Sequence, residues 1–304
     1  MLLAAGLGTR LHPLTQELPK PIVPLANRPL GAFAVDHLER VGVRTIVANT
    51  HPQPELVEST LRAHAPPTVD LRFSREEALL GTGGGLRQAW SLFPDRNAPV
   101  LVMNGDTLFA PALARACRAH EAQDAVATMV LRPTADPASF GAIGIDDEGV
   151  VRALLGLPQQ EAPLRELMFT GVHILSPRAF ADLPVSGCVI RSAYRRWVDQ
   201  GETVLGIVDD SPWADLGTPH EYHRANLELA SGRRSWPGVD PAAGNLIASG
   251  VAWSDAEVRA SVIGEGAIVA PGVAIARCVV WPGATVENDA REAIITPRTQ
   301  LVLG

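Results

Sequence analysis

The chain has 304 residues, 46% of them hydrophobic and 19% charged; this suits one large packed domain, or a large and a small one, and excludes a disordered chain. A net charge of −7 at pH 7 argues against non-specific binding to nucleic acid, whose phosphates attract basic surfaces. The three cysteines, Cys117, Cys188 and Cys278, lie far apart with no C-x-x-C pair, so neither a zinc site nor a disulfide framework is expected and a reducing cytoplasm fits best. No apolar run approaches the ~18–20 residues a membrane span needs, and no charged-then-apolar leader follows Met1, so neither span nor leader is expected.

From the start, short apolar runs alternate with helical patterns. Leu2–Ala5, Thr45–Ala48, Val69–Phe73, Val100–Asn104 and Val126–Leu131 read as strands, several apolar on both faces. In Pro29–Val41 the residues Leu30, Phe33, Ala34, Leu38 and Val41 fall on one helical face, and Pro29 suits a first turn. Strands of this kind separated by helices imply a mostly parallel sheet covered on both sides, with ligands at the carboxyl ends of its strands. Beyond Phe140 the pattern loosens into strands at Ala142–Ile145, Val150–Leu154, Phe169–Leu175 and Val204–Val208, with helices at Pro177–Leu183 and Ile190–Gln200. Pro219–Gly232 reads as a closing helix that stops at a glycine.

Residues 233–245 carry Pro237, Gly238, Pro241 and Gly244 and read as a linker. After them, Ile263, Val269 and Ile275 stand six residues apart, with Pro-Gly pairs at 271–272 and 282–283. One inward aliphatic per six residues is the repeat of a parallel β-helix, and the Pro-Gly pairs supply its turns; chance alternation is the competing reading. The expected fold class is therefore α/β: a Rossmann-like, mostly parallel sheet flanked by helices over residues 1–232, the linker, and a short left-handed parallel β-helix over 246–304.

The most specific string is Leu3–Pro21, LAAGLGTRLHPLTQELPKP. A strand ends in a loop whose Gly6 and Gly8 let backbone N–H groups approach a phosphate. Arg10 offers a fork of donors matched to phosphate oxygens. Lys20, fixed between Pro19 and Pro21, offers a compact second cation. A P-loop is excluded, because no Lys-Ser or Lys-Thr follows a glycine, and a dinucleotide fingerprint fails where Leu11 replaces its third glycine.

The string G-x-G-T-R-L-x-P-L-T-x-x-x-P-K-P resembles the hallmark of the sugar-1-phosphate nucleotidyltransferases, and the resemblance continues in order through residue 232. It implies transfer of a nucleoside monophosphate from an NTP to a sugar 1-phosphate, with Arg10 and Lys20 as the catalytic cations. By the same resemblance, Leu3, Ala4, Ala5, Gly6, Gly8 and Thr9 contact the nucleotide, and Leu80–Gly85 is a base-reading loop contributing Gly81, Thr82 and Gly83. Phe140-Gly141 and Phe169-Thr170-Gly171 look like sugar-contacting turns, giving Gly141, Thr170 and Gly171. Asn104-Gly105-Asp106 and Trp213–Thr218 look like the two ends of a metal site, so Asp106 and Asp215 are expected to hold Mg²⁺ or another divalent cation. The TGGG run is nearest the guanylyl- and uridylyltransferase branches, which implies a GDP-mannose-type or UDP-sugar-type product. A β-helical tail in such branches mediates oligomer contacts or regulation, which makes a homo-oligomer through the tail an expectation.

Two departures stand out. Many relatives carry V-E-K-P before the sugar-binding strand; here Leu154-Leu155-Gly156-Leu157-Pro158 has no lysine, leaving Arg152, Arg165 or Lys20 alone to meet the sugar phosphate. The amino terminus is short before the first strand, so an upstream start or a tag is one reading of it. His220-Glu221-Tyr222-His223 has the spacing H-x-x-H rather than H-E-x-x-H and reads as a helix turn. Trp90, Trp197, Trp236, Trp253 and Trp281 read as packing residues. Two rivals remain. A β-helix acyltransferase would need a histidine in the tail, which has none beyond His223. A silent regulatory homologue would be favoured by loss of Arg10, Lys20 or either aspartate, and all four are present.

Overall fold

Leu2–Ala5 is built of small and aliphatic side chains that tolerate apolar neighbours on both faces, and the computed structural model places it in the middle of a nine-stranded sheet. The structure describes residues 1–156 and 164–303. They form two compact units, Met1–Gly6 with Phe33–Trp213 and Leu7–Ala32 with Ala214–Gly304. Leu157 and Pro158 of the lysine-lacking stretch lie outside the described residues.

The first unit holds the sheet. Its strands are β1 (Leu2–Ala5), β2 (Thr45–His51), β3 (Asp70–Arg75), β4 (Val100–Asn104), β5 (Ala127–Arg132), β6 (Ile143–Ile145), β7 (Val151–Leu154), β8 (Arg165–Leu175) and β9 (Val204–Val208). The order is β7-β6-β8-β4-β1-β2-β3, with β5 on β8 and β9 on β5. β1 to β4 run parallel, so Ala5, His51, Arg75 and Asn104 end at one rim. β8 is longer than the apolar run alone indicates, and antiparallel to β4, β5 and β6. Its pairing with β5 jumps from Phe169↔Leu131 to Val172↔Val130, so Thr170 and Gly171 form a β-bulge at the height of Asn104.

Helices cover this sheet: α1 (Leu30–Arg40, which begins in the other unit), α2 (Pro54–His64), α3 (Gly81–Ala89) and α4 (Leu113–Ala122). Leu30, Phe33, Ala34 and Leu38 are buried as the periodicity requires, but Val41 falls beyond the helix end and is 43% exposed. Three expectations need correction. Gly81–Gly85 is the opening of a helix, not a loop. Pro177–Asp182 is 3₁₀. Ile190–Tyr194 winds as a π-turn that tightens into the short helix α5 (Arg195–Asp199). The core beneath joins β-strand aliphatics to Tyr194, Trp197 and a stacked Trp90–Phe180 pair with centroids 3.9 Å apart.

One polar contact sits inside that core. His173 Nδ1 lies 2.7 Å from the Tyr194 hydroxyl, and burial pushes the imidazole down to about 3. His37, His120 and His173 of this unit all have lowered values, with burial as the leading cause. The unfolded chain binds protons at these histidines below about pH 6.5, and the folded chain does not. Stability is therefore full above that pH and is lost as pH falls, at about 1.4 kcal/mol per pH unit for a group as shifted as His173. Urea midpoints measured from pH 7 down to pH 4 should fall, and His173→Gln, which keeps a hydrogen-bonding side chain without that titration, should flatten the slope; an unchanged slope contradicts this.

The second unit gathers distant segments. The hairpin Pro24–Leu25/Arg28–Pro29 turns through Ala26 and Asn27, both at positive φ (48° and 65°), the geometry of a tight hairpin turn. The Ala26 amide donates to Asn226 Oδ1 at 2.8 Å, and Asn27 Nδ2 donates to the carbonyls of Leu246 and Ile263 at 3.2 and 3.0 Å. Asn226 belongs to α6 (Pro219–Ala230), which opens on a capping box between Thr218 and Glu221 and is followed by Gly232 at φ 71°. The His220–His223 run is thus a helix turn, with His223 Nε2 2.7 Å from the Arg277 carbonyl oxygen. Tyr222 donates its hydroxyl hydrogen to the Pro24 carbonyl and accepts one from Trp281 Nε1 at 2.9 Å.

The tail is a β-helix with three strands per coil, each stacked in parallel on the next coil. Ile263, Val269 and Ile275 occupy its three faces in turn, paired to Val280, Val286 and Ala290 of the following coil, and all six are buried in one core. Of the five tryptophans read as packing residues, Trp253 differs: it lies in the first coil, where no earlier coil covers it, and is 46% exposed. Because Asn27, Tyr222 and His223 all bond to the tail or to its neighbours, truncation after Gly232 should loosen Leu7–Ala32. Limited proteolysis read by mass spectrometry should then find new cuts there, and protection equal to the full chain would contradict this.

Candidate active site

The rim of the first unit is shaped by backbone approaching backbone. The Gly105 amide donates to the Leu3 carbonyl at 2.8 Å, and a Cβ on Gly105 would stand 3.1 Å from that oxygen. Gly171, at φ 83°, lies against Asn104, whose Nδ2 would be 2.3 Å from an added Cβ. Leu3, Asn104-Gly105-Asp106 and the Thr170-Gly171 bulge are thereby brought together, with Asp106 in the turn after β4 and half-buried. Thr170 is 1% exposed and donates its hydroxyl hydrogen to the Val130 carbonyl at 2.7 Å; its side chain holds the bulge. Its carbonyl accepts from Trp213 Nε1 at 3.2 Å, and Trp213 meets Phe140 edge-on at 5.9 Å. Gly141, next in sequence, caps a 3₁₀ turn at φ 76°.

Two residues that sequence reasoning passed over tie the rim together. Asn49 Oδ1 accepts the Ala4 amide at 2.9 Å, while its Nδ2 donates to Glu76 Oε1 at 2.7 Å. The second Glu76 oxygen accepts the Leu80 amide at 2.9 Å, just ahead of α3. A carboxylate 5% exposed needs such donors to be tolerated. The one sequence signal was an asparagine inside the apolar run Ile46–Thr50.

The glycines of α3 have a packing reason. Added Cβ atoms on Gly81, Gly83 and Gly84 would meet the backbone or ring atoms of Pro184–Gly187 at 2.5–2.7 Å, and on Gly85 would meet Glu76 at 2.6 Å. The Gly83 amide donates to the Gly187 carbonyl, and the Thr82 hydroxyl accepts the Val189 amide, both at 2.9 Å. Gly81 and Thr82 reach the surface and Gly83 is buried.

In the second unit, the chain passes from Ala5 and Gly6 into Leu7–Arg10 with Gly6, Thr9 and Arg10 exposed. Gly8 sits at φ 60°, where a Cβ would be 2.9 Å from Thr15 and 3.1 Å from the Lys20 stem, and Thr15 fixes the turn by donating to the Gly8 carbonyl at 2.9 Å. Leu11 and Leu14 anchor it from beneath. Lys20 opens a 3₁₀ turn and is 6% exposed. The Arg10 guanidinium lies flat on Gly217, where a Cβ would come within 2.7 Å, and donates to Asp215 Oδ2 at 3.1 Å. With Arg10 65% exposed, this pair is worth on the order of 0–1 kcal/mol, so a more highly charged partner can replace it.

Among the described residues no three His, Cys, Asp or Glu side chains converge on a metal-sized space, and no helix is long and apolar enough to cross a membrane. An all-protein cage is thus not what the donors offer. Single carboxylates, each reachable from solvent, fit a cation that takes its remaining oxygens from phosphates and water.

The chain is similar to proteins of known activity. A mannose-1-phosphate guanylyltransferase of Mycobacterium tuberculosis is 29% identical over 94% of this chain and 80% of its own. An N-acetylmuramate alpha-1-phosphate uridylyltransferase of Caulobacter vibrioides is 31% identical over 76% of this chain and 96% of its own. Among solved structures, HddC from Yersinia pseudotuberculosis shares the fold at TM-score 0.62 and 23% identity, over 75% of this chain and 97% of that one. The family model described as nucleotidyl transferase matches residues 1–232, and the chain belongs to that family.

Proposed function

We propose that the protein transfers a nucleoside monophosphate from an NTP to a sugar 1-phosphate, releasing pyrophosphate, with a GDP-mannose-type or UDP-sugar-type product. The observation that carries this reading is the Gly8–Lys20 loop, with Arg10 laid over Gly217 and joined to Asp215 by an exposed pair. The relatives named as guanylyl- and uridylyltransferases support it.

In the reaction, an oxygen of the sugar phosphate attacks the α-phosphorus in line, a new P–O bond forms, and the bond to the β-phosphate breaks with pyrophosphate taking the electron pair. Such a transfer calls for positioning and charge neutralisation more than for a protein nucleophile. Arg10 exchanges Asp215 for the departing pyrophosphate, and Lys20 sits against the reacting phosphates. The exposed backbone of Gly6 and the half-buried backbone of Gly8, next to Thr9, approach the triphosphate, while Leu3, Ala4 and Ala5 give the loop a fixed strand to start from. Gly81, Thr82 and Gly83 border the base, and Gly141, Thr170 and Gly171 shape the sugar side. Asp106 and Asp215 are the carboxylates assigned to Mg²⁺ or another divalent cation, which when bound supplies positive charge to the phosphate oxygens.

Free Cys117, Cys188 and Cys278 suit a cytoplasmic setting, and the exposed Ile247 and Trp253 of the first coil suit self-association through the tail. No nucleic-acid or membrane partner is part of this reading.

The test is pyrophosphate release with each NTP and dTTP against a panel of sugar 1-phosphates in Mg²⁺. At least one pair should turn over, and Lys20→Ala should lower kcat about 10²–10³-fold on that pair, as loss of a charge-stabilising donor does. Absence of turnover across the panel overturns the reading. Asp106→Asn should raise the Mg²⁺ concentration needed for half-maximal rate, and an unchanged requirement would remove Asp106 from the metal.

A further inference from the structure

β2 ends at His51, which stands beside Ala5 of β1 in the parallel register. The His51 imidazole is half-buried, and its Nδ1 lies 3.0 Å from the Glu76 carbonyl oxygen. A carbonyl oxygen only accepts, so the hydrogen sits on Nδ1 and, in the neutral ring, Nε2 is left as an acceptor. Among the described residues no group donates to that nitrogen.

The residue that fixes the ring is itself fixed on every side. The Glu76 amide donates to the Thr50 carbonyl at 3.1 Å, and its carboxylate takes the Asn49 and Leu80 donors described above. Residues 76–80 alone separate β3 from α3, so the helix starts at the carboxyl rim of the sheet. Further into α3, an added Cβ on Gly85 would stand 2.7 Å from Asn49 Nδ2, so the Asn49 side chain faces this helix. Side chains two apart on a strand share a face. His51 therefore lies on the α3 side of the sheet and nearer the rim than Asn49, towards Gly81 and Thr82. All of these residues belong to the first unit.

We infer that His51 Nε2 accepts a hydrogen bond from the ring N–H of the incoming base, and so selects guanine or uracil over adenine and cytosine. Guanine N1–H and uracil N3–H each stand beside a ring carbonyl, whereas adenine N1 and cytosine N3 present a lone pair at the same edge. Two facing lone pairs leave both acceptors unpaired, and a site built to bond an N–H discriminates against an analogue that lacks it. The bond from Nδ1 to the Glu76 carbonyl keeps the ring from turning its own N–H to the base. This assignment rests on the nucleotidyl-transfer reading, in which Gly81, Thr82 and Gly83 border the base, and supplies that site with a rule for choosing its nucleotide.

The test is nucleotide binding to the full-length protein, by calorimetry in Mg²⁺ at pH 8. The probes are GTP, UTP, ATP and CTP, with 1-methyl-GTP and 3-methyl-UTP, in which a methyl group replaces the ring hydrogen. GTP or UTP should bind about tenfold or more tightly than ATP and CTP, and methylation of the tighter binder should weaken it by a similar factor. In His51→Ala both differences should shrink to about threefold or less, with ATP and CTP binding changed by less than about twofold. His51→Gln, whose amide can donate to the Glu76 carbonyl and accept from the base, should recover part of the preference. An equal cost of methylation in the unaltered protein and in His51→Ala shows that the N–H does not meet His51 and overturns the assignment. Binding of ATP or CTP as tight as that of GTP and UTP, or no binding of any of the four, overturns it as well. Binding decides this apart from turnover: a methylation cost that disappears in His51→Ala upholds the assignment even where no pair of substrates releases pyrophosphate.

Discussion

A cation and a carboxylate that neutralise each other only weakly are the constraint on which the rest of this protein depends. Arg10 and Asp215 meet at 3.1 Å with the arginine mostly in solvent, where the attraction is on the order of 0–1 kcal/mol. Each would therefore yield to a stronger partner, which in the proposed reaction is a phosphate for the guanidinium and a divalent cation for the carboxylate. A deeply buried pair would hold its members against substrate, because removing one partner leaves an uncompensated charge at a cost of about 3–5 kcal/mol.

The surroundings of that pair are closely packed. Gly217 admits the guanidinium flat against the backbone, and Gly8 admits the stem of Lys20 beneath a left-handed turn. The loop carrying both cations is fastened through Asn27, Tyr222 and Trp281 to the helix α6 and the β-helix, so the tail takes part in holding the cation loop. In the first unit the same device recurs: Gly105 and Gly171 let Leu3, Asn104 and the β8 bulge close on one another, which sets Asp106 at the strand end. Positive charge is delivered by side chains, and its position is fixed by places where no side chain fits.

Much of this was legible in the sequence because the sheet strands are apolar on both faces: Leu2–Ala5, Val100–Asn104 and Val204–Val208 agree with the structure to the residue. The six-residue step of Ile263, Val269 and Ile275 read correctly as one inward aliphatic per β-helix face. Gly81–Gly85, expected by resemblance as a loop, opens a helix although glycine costs about 0.8–1 kcal/mol per helical position relative to alanine. Close packing on Pro184–Gly187 outweighs that penalty, and no local pattern announces it. The bulge at Thr170–Gly171 and the π-turn before Tyr194 arise from tertiary pairing and are equally silent. Among site residues, the Gly8–Lys20 string was readable as a unit, whereas Glu76 and Asn49 meet only once the chain has folded.

The most direct test of the exchange is Mn²⁺ binding in the absence of nucleotide, followed by electron paramagnetic resonance. Freed from its arginine, Asp215 should hold the ion more tightly in Arg10→Ala, by up to about fivefold, the equivalent of the pair's energy, while pyrophosphate release in that variant collapses; Asp215→Asn should abolish the gain. Equal or weaker Mn²⁺ binding in Arg10→Ala, together with retained turnover, would contradict the account.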